Sequence, residues 1–540
     1  MKNKIYIIIN SDYFVNEWEY NCLLKLKNQN LVFLIANEIK AGSFNKNNRK
    51  YFKNFIYYLI NLISIRQKKL QIKFNSFKNA SIKEIYFKKG SNLWERIEKD
   101  SIKEIIEGYP SFIFKCGMGL LYIDNELKNI PILSFHHGDP SRFRGRPAGF
   151  YELLNGEKKI GQILQVLSNK IDSGKILCYG ESEVYPWSYK KTLKDVYKIS
   201  PIIFEKGLQN LDKGIFINKE NEGLIYKLPS NIVAIKFIFR EIFSLISKVS
   251  YGLFTQKYWQ VAYLKNIPIS RVNHPIEFFD LIDSLKNNFQ SLKTPRGYRF
   301  LADPFIIDSK IIVEGLKINN CKGDLLLMSN NQNTILNKIN LKGRHLSYPY
   351  TQEFKLGNFI YPDSGSLKNA ILYSGKSPLY LKKSTMKFFK KGLCDPSILK
   401  HNGYFYLFAN YPNEKYVLRL WISLDPYFNS VKEHNKSPIF ISPEGGRSGG
   451  RIFKLKNKLY RFGQDCTGSY GNGLILFEIE SLDQENYCEK KISKFKLQGS
   501  YRGPHNIDFS NDLLTWDYYE EKFNIMSGIN RIKGIWQGEN

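Results

Sequence analysis

Two textures of hydrophobic patterning divide the chain. Up to about residue 225, unbroken apolar runs alternate with stretches patterned for helices. "KIYIIIN" from Lys4 and "LVFLIAN" from Leu31 show no polar alternation, which marks strands buried on both faces. Between them "NEWEYNCLLKLKNQ" reads as an amphipathic helix, and "YFKNFIYYLINLIS" predicts another after a Lys/Asn-rich stretch. "IKEIYF", "SFIFKCG" and "IPILSFHH" continue the strand series. Strands alternating with helices predict an α/β domain with a parallel sheet and crossover connections.

Beyond about Lys257 the pattern changes to short strands separated by tight turns. Five stretches recur loosely, beginning at Ala302, Gln352, Cys394, Gly449 and Gly503. Each couples a polar or acidic entry to a strand, a turn and an aromatic strand. A period of roughly 40 to 55 residues suits four-stranded blades, so an all-β, five-bladed propeller is predicted. The expected organisation is multidomain: an α/β domain over 1–225, an apolar helical linker over 226–255 and a propeller over 256–540. The linker stretch "SNIVAIKFIFREIFSLISKVSYGLF" carries Lys236, Arg240, Glu241 and Lys248. It reads either as a helix packed between domains or as one lying on an anionic membrane surface through residues 230–254.

Composition narrows the function classes. A chain of 540 residues with 43% hydrophobic and 15% aromatic content is globular, and its 38 Phe and 35 Tyr favour a large β component. The net charge of +30 is spread along the whole chain without a nucleic-acid motif. That leaves solvated background or attraction to anionic substrates and membranes, with no nucleic-acid partner expected. Seven cysteines with no CxxC pair argue against a zinc module and a disulfide framework. The opening apolar run is too short for a signal peptide, and no uncharged run is long enough to span a bilayer. A cytoplasmic or membrane-peripheral setting is expected. No GxGxxG or GKS/T follows the first strand, so a dinucleotide or P-loop site is unsupported.

The densest chemistry lies in "SFHHGDPSRFRG" from Ser134. Alternation along a strand puts Ser134 and His136 on one side and His137 on the other. In a parallel α/β sheet, ligands bind at the C-terminal strand ends. Metal binding by His136, His137 and Asp139 is disfavoured, because adjacent residues diverge and no second cluster follows. Arg142, Arg144 and Arg146 read as a solvated loop or as forks for a phosphate or carboxylate.

Together with "PSFIFKCGMGLLYIDNELKNIPIL" before it and "LLNGEKKIGQILQVLSNKIDSGKIL" after it, this stretch follows a known order and approximate spacing. Residues 1–215 resemble the formyltransferase domain family, which includes methionyl-tRNA formyltransferase and sugar N-formyltransferases. The resemblance implies a Rossmann-type fold, His136 and Asp172 as catalytic residues, and Ser134 where the family has asparagine. It also implies 10-formyltetrahydrofolate as formyl donor, with Cys116 and Gly117 at its site, and no metal. The residue types suit the chemistry. When an amine attacks a formyl carbon, the developing oxyanion needs hydrogen-bond donors, and a histidine oriented by a carboxylate stabilises charge or moves the amine proton. Ser134 offers a donor of shorter reach, and "GDPSR" departs from the family's usual "SLLP".

Residues 256–535 resemble the N-terminal propeller domain of glucosamine inositolphosphorylceramide transferases. They also look like the five-bladed propellers of arabinanase- and xylosidase-type glycoside hydrolases. The stretches that carry this are "ADPFII", "HLSYPY", "YPDSGS", "DPSILKHNGYFYLF" and "GGRIFKLKNKLYRFGQDC". Hydrolysis needs two carboxylates across a funnel. Asp303 and Asp395 enter corresponding blade positions, with Glu314, Glu353 and Asp363 as further acids. Carbohydrate or nucleotide-sugar binding and pure scaffolding are the other readings. Arg344, His345, Arg447, Arg451, Gln464 and Asp465 are the expected polar lining. The two resemblances together imply formyl or related acyl transfer to the amine of an amino sugar or sugar nucleotide in surface glycan biosynthesis. The alternatives are a catalytically retired first domain in a carbohydrate-binding scaffold, or a propeller-based glycosidase or glycosyl-transfer enzyme.

Overall fold

The strand Lys4–Asn10 forms because Ile5 to Ile9 are apolar without interruption, and all five are buried. A strand covered on both faces needs neighbours on both edges. In the computed structural model it lies between Pro110–Lys115 and Asn30–Glu38, parallel to each. The structure describes residues 4–39, 52–64, 67–90, 94–267, 272–285, 288–329, 334–510 and 512–536. The chain divides into two units, Met1–Leu245 and Ile246–Asn540, with the boundary inside the helix Asn231–Phe254.

The first unit is built on a nine-stranded sheet. From one edge its strands run Lys175–Glu183, Lys159–Val166, Ile132–His136, Pro110–Lys115, Lys4–Asn10, Asn30–Glu38, Asn79–Lys89, Trp94–Ile97 and Leu120–Leu121. The five strands from Ile132–His136 to Asn79–Lys89 are parallel, as alternating elements predict. Lys159–Val166 and Lys175–Glu183 instead run antiparallel to each other, and the former is antiparallel to Ile132–His136. The link between those two strands is too short for a crossover, so the sheet is mixed, not wholly parallel. One face packs Tyr6, Ile8, Ile113 and Ile132 against Ile102, Ile105 and Leu127. On the other, Phe114 and Phe135 meet Phe204 of the helix Tyr189–Asp212.

A second apolar cluster in this unit joins two helices. Tyr57 and Ile60 of Phe55–Ser64 pack with Ala234 and Phe237 of Asn231–Phe254 around Phe150 and Leu153. The helix starts are tied together. Asn231 Oδ1 accepts from Ile56 N at 3.1 Å, its Nδ2 donates to Phe52 O at 2.7 Å, and Asn54 Nδ2 donates to Pro229 O at 2.7 Å.

The second unit is a five-bladed β-propeller. Four blades are consecutive antiparallel sheets whose first strands are Tyr298–Ile307, Ser347–Phe354, Cys394–His401 and Glu444–Ser448; the first two have four strands, and the other two have four in series with a fifth short strand beside them. The fifth uses both ends of the unit: Thr255–Leu264 pairs with Leu513–Phe523 from Thr255↔Phe523 to Leu264↔Leu514. Joining first and last strands in one sheet closes the ring, and the edges that remain are those of the separate blades.

The recurrence seen in the sequence has a local cause. Pairing breaks register after Ala302, after Ser347, after Cys394 and after Glu444. At three of these breaks Asp303, Tyr348 and Asp395 take φ of 49°, 45° and 45°, each followed by proline. Such a bulge takes the side chain out of the alternating pleat. It also brings inner-strand residues of neighbouring blades within reach: Asp303 Oδ2 accepts from Tyr348 N at 3.1 Å, and the Tyr348 hydroxyl lies 3.1 Å from Ser397 Oγ.

Candidate functional sites

In the first unit, the ends of three adjacent strands carry Asn10, Lys115, Ser134 and His136. His136 is 7% exposed. Its Nδ1 lies 3.2 Å from Asp172 Oδ2, and its Nε2 lies 2.7 Å from the Phe143 carbonyl. Both contacts are satisfied together when both ring nitrogens carry protons, since a carboxylate and a carbonyl only accept. Asp172 sits at φ 48° in the loop before Lys175–Glu183, and its Oδ2 also accepts from Gly145 N at 2.7 Å. The loop from Gly138 to Gly145 therefore closes over the ring. A Cβ on Gly138 would lie 2.6 Å from His136 Nε2, so only glycine leaves room there.

Ser134 is half-buried and makes no hydrogen bond through its hydroxyl among the described residues. The register that pairs Ile113 with Ile132 and Phe114 with Leu133 sets Lys115 beside it. Burial pushes the Lys115 amine below the usual lysine range, against the pull of Glu19 and other nearby acids. Cys116 and Gly117 both donate backbone N–H to Ile8 O, at 2.9 and 2.8 Å. A Cβ on Gly117 would come within 2.6 Å of the Ile9 backbone. Burial first, then Glu19 and Cys22, hold the Cys116 thiol far above the usual range.

The basic loop finds partners inside the fold. Arg142 forks onto Glu157, with one arm at 2.8 Å. Arg144 donates to Gly223 O at 2.7 Å and to Ser173 Oγ at 2.6 Å. Arg146 is exposed and has no carboxylate partner among the described residues. Asp139 is capped by Ser141 and paired with Lys219 at 3.2 Å. His137 points to the opposite face from His136, stacked on Phe135 and edge-on to Trp18 and Tyr197.

The hub of the propeller is a network of buried ions. His505 Nε2 lies 2.9 Å from Asp303 Oδ1, and its Nδ1 lies 2.9 Å from Asp517 Oδ2. These are ion contacts, since neither Asp303 Oδ1 nor His505 Nδ1 is aligned for a hydrogen bond. Burial alone would lower the imidazole pKa, but Asp517 and Asp303 raise it to about 10. Burial would lift the Asp303 carboxyl, yet His505 and the Tyr348 N–H hold it below the usual range. Glu314 goes the other way, pushed well up by burial and by Asp303. Asp303, His505 and Asp517 each place a ligand atom within 4.8 Å of the others, the closeness a metal ion would need. Asp517 also accepts from Asp303 N, His505 N and Asn506 N.

Beside this triad, Asp395 Oδ2 accepts from Arg447 Nε at 2.6 Å and Gln464 Nε2 at 3.0 Å. Burial raises its carboxyl to about 6, Arg447 opposing and Asp363 adding. The Arg447 guanidinium faces the Tyr470 ring at 5.4 Å. His345 Nε2 lies 3.6 Å from Glu314. The structure thus brings together Asp303, Glu314, Asp363, Asp395, Arg447 and Gln464. It sets Arg451 and Asp465 apart from them. Arg451 clamps Asp508 at 2.7 Å while donating to Thr351 O and Ile306 O, and Asp465 is buried against Thr467, Asn472 and Lys494. Arg344 is exposed.

Sequence reading did not single out His505, Asp508, Asp517 or Lys115. The first three all lie in the recurrent stretch beginning at Gly503, and His505 directly follows Pro504 at a blade entry.

An α/β unit with a His–Asp contact at its strand ends and a five-bladed propeller define the architecture. Residues 292–508 match the family described as glucosamine inositolphosphorylceramide transferase 1, N-terminal. Glucosamine inositolphosphorylceramide transferase 1 of Oryza sativa subsp. japonica is 31% identical over 220 residues, 37% of this chain and 29% of that protein. The chain thus spans less than a third of that relative's length. Among solved structures, an N-formyltransferase from Helicobacter canadensis in complex with folinic acid and dTDP-3-aminofucose aligns at TM-score 0.28 and 13% identity. That alignment covers 59% of this chain and 97% of that one. A thermostable family-43 glycoside hydrolase aligns at TM-score 0.30 and 13% identity, over 41% and 89%.

Proposed function

We propose that the chain is a carbohydrate-modifying transferase, whose first unit moves a formyl group onto the amine of an amino sugar or sugar nucleotide. In this reading the propeller recognises the glycan, and the setting is surface or lipid-linked glycan assembly on the cytoplasmic side. The observation that carries it is the His136–Asp172 contact of 3.2 Å at the sheet's C-terminal end, reached from the motif order of the formyltransferase resemblance. The propeller relatives are named for glucosamine, an amino sugar, which supports the choice of acceptor.

The donor set suits a formyl donor by its chemistry. The Ser134 hydroxyl, the Lys115 amine and the His136 ring can each donate to an oxygen gaining negative charge. 10-Formyltetrahydrofolate, when bound, would supply the formyl group, with Cys116 and Gly117 as the residues the resemblance assigns to it. Asp172 fixes the His136 ring and holds a proton at Nδ1, anchored in turn by the Gly145 N–H. Access of an acceptor to Nε2 requires the Phe143 carbonyl to give way, since it holds that atom at 2.7 Å. In the propeller, Arg447 beside Tyr470 offers a fork and an aromatic face to a sugar.

A second reading, a carbohydrate-binding protein whose first unit has lost catalysis, is favoured by that same closed Nε2 and by serine at position 134. One experiment separates the two. The chain is incubated with 10-formyltetrahydrofolate and a panel of nucleotide-linked amino sugars, and products are read by mass spectrometry. A product heavier by one formyl group, absent with the Asp172→Asn variant, supports transfer. Glycan binding without any formylated product, in both wild type and Ser134→Asn, supports the second reading. Glycan cleavage lost in Asp303→Asn would hand the activity to the propeller.

A further inference from the structure

The two helices that pack around Phe150 are apolar on both sides. In Phe55–Ser64, Tyr57 and Ile60 point inward, while Phe55, Leu59, Leu62 and Ile63 are exposed, Ile63 at 81%. Those outward positions follow the three- and four-residue spacing of one helix face. Asn231–Phe254 repeats the arrangement: Ala234 and Phe237 are buried, and Ile232, Ile235, Phe239 and Phe243 are exposed, Phe243 at 72%. The Asn54 and Asn231 hydrogen bonds hold the two helix starts side by side, with exposed Phe52 at the junction. A water-facing stripe normally carries charged side chains, and paired apolar stripes mark an interaction surface.

The charge around these stripes selects the partner. Lys53, Lys227, Lys236 and Arg240 are exposed and have no carboxylate partner among the described residues. The only acid in the outer helix up to Leu245, Glu241, accepts from Tyr189 N at 2.7 Å. No helix among the described residues is long and apolar enough to cross a membrane. Apolar stripes flanked by basic side chains suit a helix lying in the interface of an anionic bilayer. A second copy fits poorly, because it would bring two equally basic faces together.

We propose that the face formed by Phe55–Ser64 and the outer helix up to Phe243 docks the protein on an anionic membrane surface. The proposal stands on this face alone and is independent of formyl transfer. The test is flotation of the full chain with vesicles of phosphatidylcholine alone, or of equal phosphatidylcholine and phosphatidylglycerol. Binding to the anionic vesicles at low salt, weakened at high salt and weak on the neutral ones, is expected. Lys53→Gln with Lys227→Gln and Lys236→Gln should lower partitioning by roughly a hundredfold. Leu62→Ser with Phe243→Ser should lower it as well, with the thermal midpoint unchanged because both positions are exposed. Failure of the wild type to float with anionic vesicles at low salt overturns the proposal. So does a concentration-dependent dimer that Leu62→Ser with Phe243→Ser dissociates while vesicle binding stays unchanged.

Discussion

His137 and His505 are both packed against aromatic rings, and their protons go opposite ways. His137 meets Trp18, Phe135 and Tyr197, and its one hydrogen-bonding contact among the described residues is Ser200 Oγ at 3.2 Å. Burial, with His136 adding, pushes its pKa down to about 3. His505 lies against Trp259 and Tyr470, but its two nitrogens face carboxylates, and its pKa rises to about 10 despite burial. Aromatic walls therefore do not decide the charge of an enclosed imidazole. The groups opposite its two nitrogens do.

The comparison is most sharply tested at the histidine that has one carboxylate, His136. Replacing Asp172 by asparagine keeps a residue type that tolerates the left-handed φ of 48° but removes the charge behind the ring. The proposed formyl transfer should fall roughly 10²- to 10⁴-fold, the usual worth of a positioned acid–base group. Steady-state kinetics, with circular dichroism as the check on folding, measures it. A variant with wild-type turnover would place the chemistry elsewhere.

Next in size is His505→Gln. It leaves Asp303 and Asp517 buried without their cation, which should cost the propeller about 3–5 kcal/mol. Urea unfolding measures the loss, and an unchanged midpoint would mean that the two acids take up protons at little cost.

The smallest effect is a divergence with pH. The folded pKa of His505, about 10, lies above the unfolded value of about 6.5. Its stabilisation is complete below about pH 6.5 and is lost as pH rises toward about 10. His137 has its folded pKa near 3, below the unfolded value. Its neutral ring is tolerated above about pH 6.5, and stability falls as pH drops toward about 3. Hydrogen exchange resolved by peptide should show the first unit loosening on the acid side and the propeller on the alkaline side. His137→Phe should blunt the first and leave the second untouched.

Much of this was legible along the chain. The unbroken run from Ile5 to Ile9 announced a strand covered on both faces, and period two put Ser134 and His136 on one side with His137 opposite. The Asp-Pro entries at 303 and 395 marked two separate blades because a bulge followed by proline is a local requirement, written in adjacent residues. Partner choice was not local. Arg142 and Arg144 have the chemistry of anion forks, and only the folded loop gives them Glu157, Ser173 and the Gly223 carbonyl. Arg451 has the chemistry of a sugar-lining residue, and only ring closure gives it Asp508 as a partner. His505 meets Asp303 across about two hundred residues because the last blade closes against the first. Backbone periodicity follows from neighbours in sequence, so the α/β and propeller classes and the histidine strand end could be read along the chain, while the antiparallel edge of the first sheet could not. Charge states and ion partners depend on distances between remote segments in a desolvated interior, and only the tertiary structure decided those.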